Sequence, residues 1–559
     1  MILGIDVGGT HTDAVLLNGR FEVVASAKVL TNPENLIVSF REATSRILNG
    51  GDLKQLERIV LSTTMSTNAI VQNRVDRVGM ILAGGPGLAP ETLRINEDTR
   101  FISGYVSHRG LEAAGTDERE VRDAADSLKK KGIRHLGIVG KFSTRNPGLE
   151  QRIGDLVEGD FEHLSFGHRM SGNLNYPRRI ATTYLNAAIW RVYNRFVEDI
   201  LRFTAEIGTT APVYILKADG GTSEISQSAK YPVGTILSGP AASIMGILSL
   251  TTGKEDAVAL DIGGTTTDIA LFADGVPLLE PFGVTIEGRK TLVRGLQTRS
   301  IGVAGDSRVR WEQGELRIGP EREGPAMAFG GPFPTPTDAM IVLGLTKIGD
   351  REKAAAAMEI LGGEANASPG ETARIVFEKT CGLIADAVRE VLDEINNKPV
   401  YTIHEMLEGK VIEPKVLYVV GGPAEAMAPR LGEMLGCRPG LPKHAEVANA
   451  VGAALARTTT EITLLADTEK KILTIVEEGI RQDIPGRFSR DDALFICREK
   501  LLERALKMGA REEDLIMEII EDQEFNMVRG FYTTGKNIRI KAQIKPGLIS
   551  PRKDGGTPS

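Results

Sequence analysis

The chain has 559 residues, 42% of them hydrophobic and 25% charged, the balance of an ordinary globular protein of roughly two to four domains. Its formal charge of −7 argues against a dedicated nucleic-acid or anionic-membrane binder, and no apolar run approaches the roughly 18–20 residues that span a bilayer. The three cysteines (Cys381, Cys437 and Cys497) are too widely spaced for a disulfide framework or a thiolate metal site, the seven histidines show no metal-ligand spacing, and no cleavage signal precedes the first strand-like residues, so a cytoplasmic protein is expected.

In chain order, Ile2 to Val7 and Ala14 to Leu17 are apolar runs around Asp6-Val-Gly-Gly-Thr-His-Thr-Asp13, and the turn dipeptide Asn18-Gly19 follows. Residues 1–30 therefore predict a three-stranded meander with a glycine loop between its first two strands. Glu34 to Leu48 has helical period, while Arg58 to Ser62 and Val78 to Ala83 read as buried strands. Glu118 to Lys131 predicts a charged amphipathic helix, Leu136 to Val139 a strand, and Arg179 to Ile207 one long helix. Tyr176-Pro-Arg-Arg179 reads as its start, with exposed charges. This alternation predicts an α/β domain with a largely buried mixed sheet.

The pattern then repeats. Ala257 to Ile262 and Ile269 to Phe272 flank Asp261-Ile-Gly-Gly-Thr-Thr-Thr-Asp268, with the turn Asp274-Gly275 behind them. Val213 to Lys217 is a strand ended by Gly220-Gly221, and Val416 to Val420 one ended by Gly421-Gly422. Each half also supplies a helix dense in small residues, one beginning Ser238-Gly-Pro-Ala-Ala-Ser243 and the other Ala448-Asn-Ala-Val-Gly-Ala-Ala454. Small residues let two helix backbones approach closely, as a hinge would need. Gly283 to Asp338, rich in Gly, Pro, Arg and Thr, reads as a long irregular insertion. From about residue 458 a separate C-terminal part begins, with a helix over Asp491 to Met508 and a strand over Asn537 to Ile544; Pro551 to Ser559 is expected to lack order.

The glycine loops carry the chemistry. A phosphate chain needs backbone N–H donors at close range, which glycine permits because it lacks Cβ, and threonine hydroxyls add donors. Gly8, Gly9, Thr10, His11 and Thr12 meet that demand in one copy, and Gly263, Gly264, Thr265 and Thr266 in the other. Asp6 and Asp261, at the strand ends, are suited to hold Mg²⁺ through water. Asp13 and Asp268 follow, suited to orient the loops. A single copy reads equally well as a plain Gly-rich turn, whereas two in the same strand context favour phosphate binding. No GxxxxGK[ST] loop competes, and the strand after each loop disfavours a Rossmann fingerprint. Gly421 and Gly422 fit adenosine contact. Thr63, Thr64, Thr67 and Asn68 line a cleft or cap a helix. Arg299, Asp306 and Asp338 meet a substrate or lie in solvated loops.

The order of these motifs resembles the actin-like ATPase superfamily, and within it the hydantoinase/oxoprolinase A-subunit family. The residues that carry this are the two Asp-to-Asp loops, Thr63-Thr-Met-Ser-Thr-Asn-Ala69, Ser238-Gly-Pro-Ala-Ala242, Arg299-Ser-Ile-Gly302, Ile318-Gly-Pro320, Pro336-Thr-Asp338 and Gly421-Gly-Pro423, over roughly residues 1–457. The resemblance implies an actin-like, ribonuclease H-like duplicated two-lobed fold. Its lobes would be residues 1–250 and 251–457, the second with the insertion 283–338, and residues 458–559 would form an α+β accessory region. It implies ATP and Mg²⁺ as cofactors, with Asp6, Asp261 and Asp268 as catalytic carboxylates. It also implies ATP-dependent opening of a cyclic amide such as a hydantoin or 5-oxoproline, a separate B subunit and an oligomer. Thr63, Thr64, Asn68, Arg299 and Asp306 would face the substrate. His11 stands where the family usually has Phe, Leu61-Ser62 where it has His-Gly, and Val303-Ala-Gly-Asp-Ser307 where it has a glycine run, so the substrate is less defined than the ATP site. A small-molecule kinase, a ketone-activating carboxylase subunit and an ATP-driven protein remodeller are the alternatives.

Overall fold

The computed structural model describes residues 1–32, 34–48, 52–251, 253–397 and 411–550; the expectation for Pro551 to Ser559 lies outside them. The fold is α/β with mixed sheets. The chain divides into two compact units. One comprises Met1–Ala241, Glu280–Gly295 and Ala453–Ser559, the other Ala242–Leu279 and Leu296–Gly452.

The first unit is built on a six-stranded sheet in the order Thr222–Glu224, Val213–Leu216, Arg58–Thr63, Ile2–Val7, His11–Leu17, Val23–Leu30. Ile2–Val7 runs antiparallel to His11–Leu17 and parallel to Arg58–Thr63. Its position in mid-sheet explains its unbroken apolar run, because both faces are buried. The edge strand Val23–Leu30 alternates between exposed and half-buried residues along most of its length, as a strand with one wet face does. Behind the sheet, Phe40 and Ala43 of helix Leu36–Ile47 and Tyr193, Phe196 and Ile200 of helix Tyr176–Glu206 pack on Leu3, Ile5, Ile59 and Leu61. Asn175 caps the long helix by accepting from the Arg178 backbone N–H at 3.2 Å, and Pro177 sits where its missing N–H costs nothing.

The start of this helix carries no exposed charge at Arg179, contrary to the sequence expectation. Arg179 is fully buried and donates to the carbonyl oxygens of Gly140 and Lys141, both at 2.7 Å. Nearby, Glu150 accepts from Gly140 N–H at 2.7 Å and from His168 N–H at 2.8 Å, and pairs with the His168 ring at 2.6 Å. Burial by itself would raise the Glu150 carboxyl, but His168 and Arg179 outweigh it and hold it below its ordinary value. A parallel sheet of His163–Phe166, His135–Gly140, Val78–Ala83 and Thr99–Phe101 completes the N-terminal part of the unit.

Its C-terminal part is an antiparallel sheet covered by helix Arg490–Lys507, which Ser489 and Asp492 cap reciprocally. The expected strand over Asn537 to Ile544 is the end of a longer one, Tyr532–Ile544, paired with Met517–Arg529 in a hairpin that the sequence did not signal.

The second unit repeats the meander topology. Ala257–Ile262 is antiparallel to Thr267–Ala273 and parallel to Val416–Val420, which is parallel in turn to Arg438–Gly440. The third meander strand is only Val276–Pro277, and Thr298–Ile301 takes up the rest of that edge. Topology also corrects the pairing of repeats. Val416–Val420 adjoins the first meander strand, as Arg58–Thr63 does in the other unit, whereas Val213–Leu216 lies one strand further out. Gly421-Gly422 and Gly220-Gly221 therefore end strands at different positions.

Gly283 to Asp338 is not a single irregular insertion. Its first part belongs to the first unit, where Arg178 donates to the Phe282 carbonyl oxygen at 2.7 Å and Leu292 N–H donates to Thr182 Oγ1 at 2.8 Å. The remainder carries strands Thr298–Ile301, Val309–Glu312 and Glu315–Ile318 and helix Pro336–Val342 in the second unit. The small-residue helices do approach closely: a Cβ on Gly452 would lie 2.1 Å from the Gly246 nitrogen.

Candidate nucleotide and substrate sites

The two glycine loops have the same local geometry. Gly8 N–H donates to the His11 carbonyl oxygen at 3.0 Å, and Gly263 N–H to the Thr266 carbonyl oxygen at 3.0 Å. Asp6 stands opposite Asp13 across the first antiparallel pair, and Asp261 opposite Asp268 across the second. The spacing of each Asp-to-Asp segment therefore places two carboxylates at the mouth of each hairpin.

The third strand makes the copies differ. In the first, Asp13 faces Lys28 and pairs with it at 2.9 Å; in the second, Asp268 faces Ser300. Burial raises the Asp13 carboxyl, and Lys28 opposes the shift. Without such a cation, burial and then the charge of Asp261 push Asp268 up to about 6. Asp261 accepts a 2.5 Å hydrogen bond from Ser243. Sequence reasoning missed Ser243 and Lys28. Ser243 was visible only as one hydroxyl in a small-residue helix, and Lys28 only as one charge on an alternating strand.

In the first unit, Gly8 and Gly9 open onto a cavity of about 570 Å³ that Thr64, Asn68, Arg74 and Phe196 also line. Nothing lies within 4 Å of where a Gly9 Cβ would be, so that face of the loop is open to a ligand. Thr64 makes no side-chain cap to helix Met65–Val71; its hydroxyl accepts from Asn68 Nδ2 at 3.1 Å. Thr63 is buried, and its hydroxyl accepts from Met65 N–H at 3.2 Å. Thr67 accepts from Leu237 N–H. Thr10 and His11 are exposed, whereas Thr12 is buried and bonded to Thr31 at 2.9 Å.

In the second unit, Gly263 and Gly264 line a cavity of about 730 Å³ together with Asp306, Thr337, Gly422 and the apolar Phe329 and Met340. The segment around Asp306, a substrate candidate from the sequence, shapes it through contacts with the glycine loop that the sequence did not signal. Gly305 N–H donates to the Gly263 carbonyl oxygen at 3.1 Å, and Asp306 N–H to that of Gly264 at 2.8 Å. Asp306 pairs with Arg322 at 2.9 Å; burial raises its carboxyl and Arg322 opposes the shift. A Cβ on Gly264 would lie 2.7 Å from Asp306 Oδ2. The structure thus brings Asp306 to the second glycine loop, while Thr63, Thr64 and Asn68 stand in the first unit. Thr265 and Thr266 are exposed on the loop, and Gly421 adopts φ +98° beside the Ile262 carbonyl. Arg299 pairs with Glu390 at 2.9 Å and Glu394 at 3.0 Å. Asp338 is buried and accepts from the backbone of Met327, Ala328 and Thr335, so it is the partner of Thr335 in a capping box and not a solvated loop residue.

Among the described residues no group of three or more His, Cys, Asp or Glu side chains is placed to hold a metal. Mg²⁺ needs no such cage, since one or two carboxylates with water and phosphate oxygens suffice. No helix among the described residues is long and apolar enough to cross a membrane.

Comparison with known proteins gives concordant matches. The hydantoinase/oxoprolinase family profile matches residues 179–462, and the hydantoinase/oxoprolinase N-terminal region matches residues 2–160. Caprolactamase subunit alpha of Pseudomonas jessenii is 26% identical over 383 residues, which cover 61% of this chain and 54% of that one. The acetophenone carboxylase gamma subunit of Aromatoleum aromaticum is also 26% identical, over 61% of this chain and 53% of its own. The chain thus spans about half the length of these two relatives. In fold, it is similar to the crystal structure of the ATP-dependent caprolactamase from Pseudomonas jessenii, with a TM-score of 0.75, 20% identity and coverage of 100% and 88%.

Proposed function

The chain belongs to the hydantoinase/oxoprolinase family, and on that premise we propose that it is an ATP-dependent hydrolase that opens a cyclic amide. The observation that carries this reading is the duplicated hairpin mouth, two carboxylates across one strand pair beside a glycine loop, with a large cavity at each copy. We read the two copies as the halves of an actin-like ATPase, with residues 1–250 and 251–457 as its lobes and 458–559 as an accessory region.

An amide nitrogen is a poor leaving group. When bound, Mg·ATP would supply a phosphoryl group to the amide oxygen and leave as ADP; water could then attack the carbonyl carbon, the C–N bond break as the nitrogen takes a proton, and the phosphoryl group be lost to water as inorganic phosphate. The chain's part is positioning and charge. Gly263, Gly264, Thr265 and Thr266, with Gly8, Gly9, Thr10 and His11, are assigned to the phosphates, and Thr12 and Asp13 to holding the first loop from behind. The apolar wall at Phe329 and Met340, with Gly422 of the Gly421-Gly422 turn, suits a purine nucleoside. Asp6 and Asp261 would hold Mg²⁺, the latter oriented by Ser243. Asp268, raised to about 6, is suited to take or give a proton near neutral pH. Thr63, Thr64, Asn68, Arg299 and Asp306 are the residues assigned to the substrate, Thr64 and Asn68 lining the cavity at Gly8.

A second reading, activation of a ketone for carboxylation by the same phosphoryl transfer, is favoured by the match to the acetophenone carboxylase subunit. Both relatives are named as subunits, which supports a separate partner chain in an oligomer. The test is Mg²⁺-dependent phosphate release from ATP with 5-oxoproline, hydantoins, lactams, ketones and sugars, alongside an Asp261→Ala variant. Stimulation by a cyclic amide that vanishes in the variant is expected. Stimulation by ketones alone would select the second reading, and stimulation only by a protein would overturn both.

A further inference from the structure

The first unit holds another cavity, of about 110 Å³, that shares no lining residue with the one at Gly8. It lies among Val213–Leu216 and its glycine turn, the segment 280–295 and the C-terminal sheet and helix. Four cations and three carboxylates line it, and two of these charges are answered from outside: Arg504 by Glu478, and Glu461 by Lys541 at 3.0 Å. Arg169, Lys217 and Arg294 remain against Asp219 and Glu477.

The acceptors meet these donors only at long range. Lys217 donates to the Thr459 carbonyl oxygen at 2.8 Å and lies 3.5 Å from Asp219. Asp219 is taken up by Thr459 Oγ1 at 2.8 Å and Gly221 N–H at 3.0 Å. Glu477 accepts from Gly172 N–H and from both the backbone and the hydroxyl of Thr463. Burial, and then the charge of Glu461, raise the Glu477 carboxyl, which weakens it as a counter-charge. Arg294 is left over. Both its terminal nitrogens are shielded from solvent without a hydrogen-bond partner, and its nearest carboxylate, Asp219, is 3.6 Å away. A buried guanidinium with idle donors is costly, and a planar oxyanion is the group that satisfies two of its N–H bonds at once.

We propose that this cavity is a binding site for a small organic carboxylate, with Arg294 holding the carboxylate group and Lys217 beside it. The apolar wall of Met170, Leu292 and Val293 receives the hydrocarbon part, which distinguishes the ligand from an inorganic anion. A cavity of about 150 Å³ accommodates benzene, so this one holds on the order of four or five non-hydrogen atoms. The site stands independently of the roles assigned to the glycine loops.

Calorimetric titration of the full chain with propionate, its neutral isostere propionamide and inorganic phosphate at constant ionic strength tests this. One propionate is expected to bind, with propionamide and phosphate at least about tenfold weaker, the factor expected when a charge-assisted pair is lost. Arg294→Gln should cost propionate a similar factor, Arg294→Lys should retain part of the affinity, and Arg389→Gln, an exposed charge paired with Asp386, should change nothing. The proposal is overturned if propionate does not bind, if propionamide or phosphate binds as well, or if neither Arg294 variant weakens binding. The isostere comparison decides the matter in the unaltered protein should a variant not fold.

Discussion

Gly421 and Gly422 are neighbours with opposite expectations under substitution by alanine. Gly421 sits at φ +98°, where a side chain is strained by about 1–2 kcal/mol. Its Cβ would also lie 2.2 Å from the Ile262 carbonyl oxygen and 3.0 Å from Asp261 Oδ1. The first of these is backbone in mid-sheet and cannot turn aside, so the strand end must shift, at a further cost of about 1–3 kcal/mol. Gly421→Ala is therefore expected to destabilise the second unit by about 2–5 kcal/mol, or about 10 °C in its melting transition. It should also weaken nucleotide binding, because the strand that moves carries Asp261. Gly422 has ordinary backbone and nothing within 4 Å of its Cβ position, so Gly422→Ala should stay within about 0.5 kcal/mol of the parent protein. Differential scanning calorimetry of the two variants, followed by titration with ADP, reads both effects. Equal melting temperatures for the pair would refute the argument that this turn is fixed by the Ile262 carbonyl.

Other substitutions probe the remaining charges and contacts. Ser300→Lys supplies Asp268 with the cation that Lys28 gives Asp13, and should bring its carboxyl down from about 6, read by ¹³C NMR titration. Because that carboxyl is raised, the folded protein holds its proton more tightly and loses stability as pH rises from the ordinary aspartate range through about 6; the variant should flatten that loss. Glu150→Gln strips the buried His168–Arg179 cluster of its anion and should cost about 3–5 kcal/mol in urea unfolding at pH 7. Since the Glu150 carboxyl is depressed, its contribution is present above the ordinary glutamate value and disappears as pH falls through the lower folded value, so parent and variant should converge in acid. Gly264→Ala crowds an Asp306 anchored by Arg322 and should raise the nucleotide dissociation constant several-fold while leaving the circular dichroism spectrum unchanged.

What the sequence determined by itself is local. Period-two and unbroken apolar runs located Ile2–Val7, Ala257–Ile262 and Val416–Val420, and period 3.6 located the helices at Tyr176–Glu206 and Arg490–Lys507, because burial of one face or both is written in consecutive residues. The Asp-to-Asp spacing likewise set the carboxylates opposite each other, since a tight turn allows one register. The hairpin arm Met517–Arg529 left no such trace, because it lies at a sheet edge with most side chains in solvent. Tertiary structure alone decided that Val416–Val420 corresponds to Arg58–Thr63, that the segment 280–295 joins the first unit, that Asp306 closes on Gly264, and that Arg179 is buried. Each rests on hydrogen bonds or packing between residues far apart in the chain, and such pairings impose no period on the residues that make them.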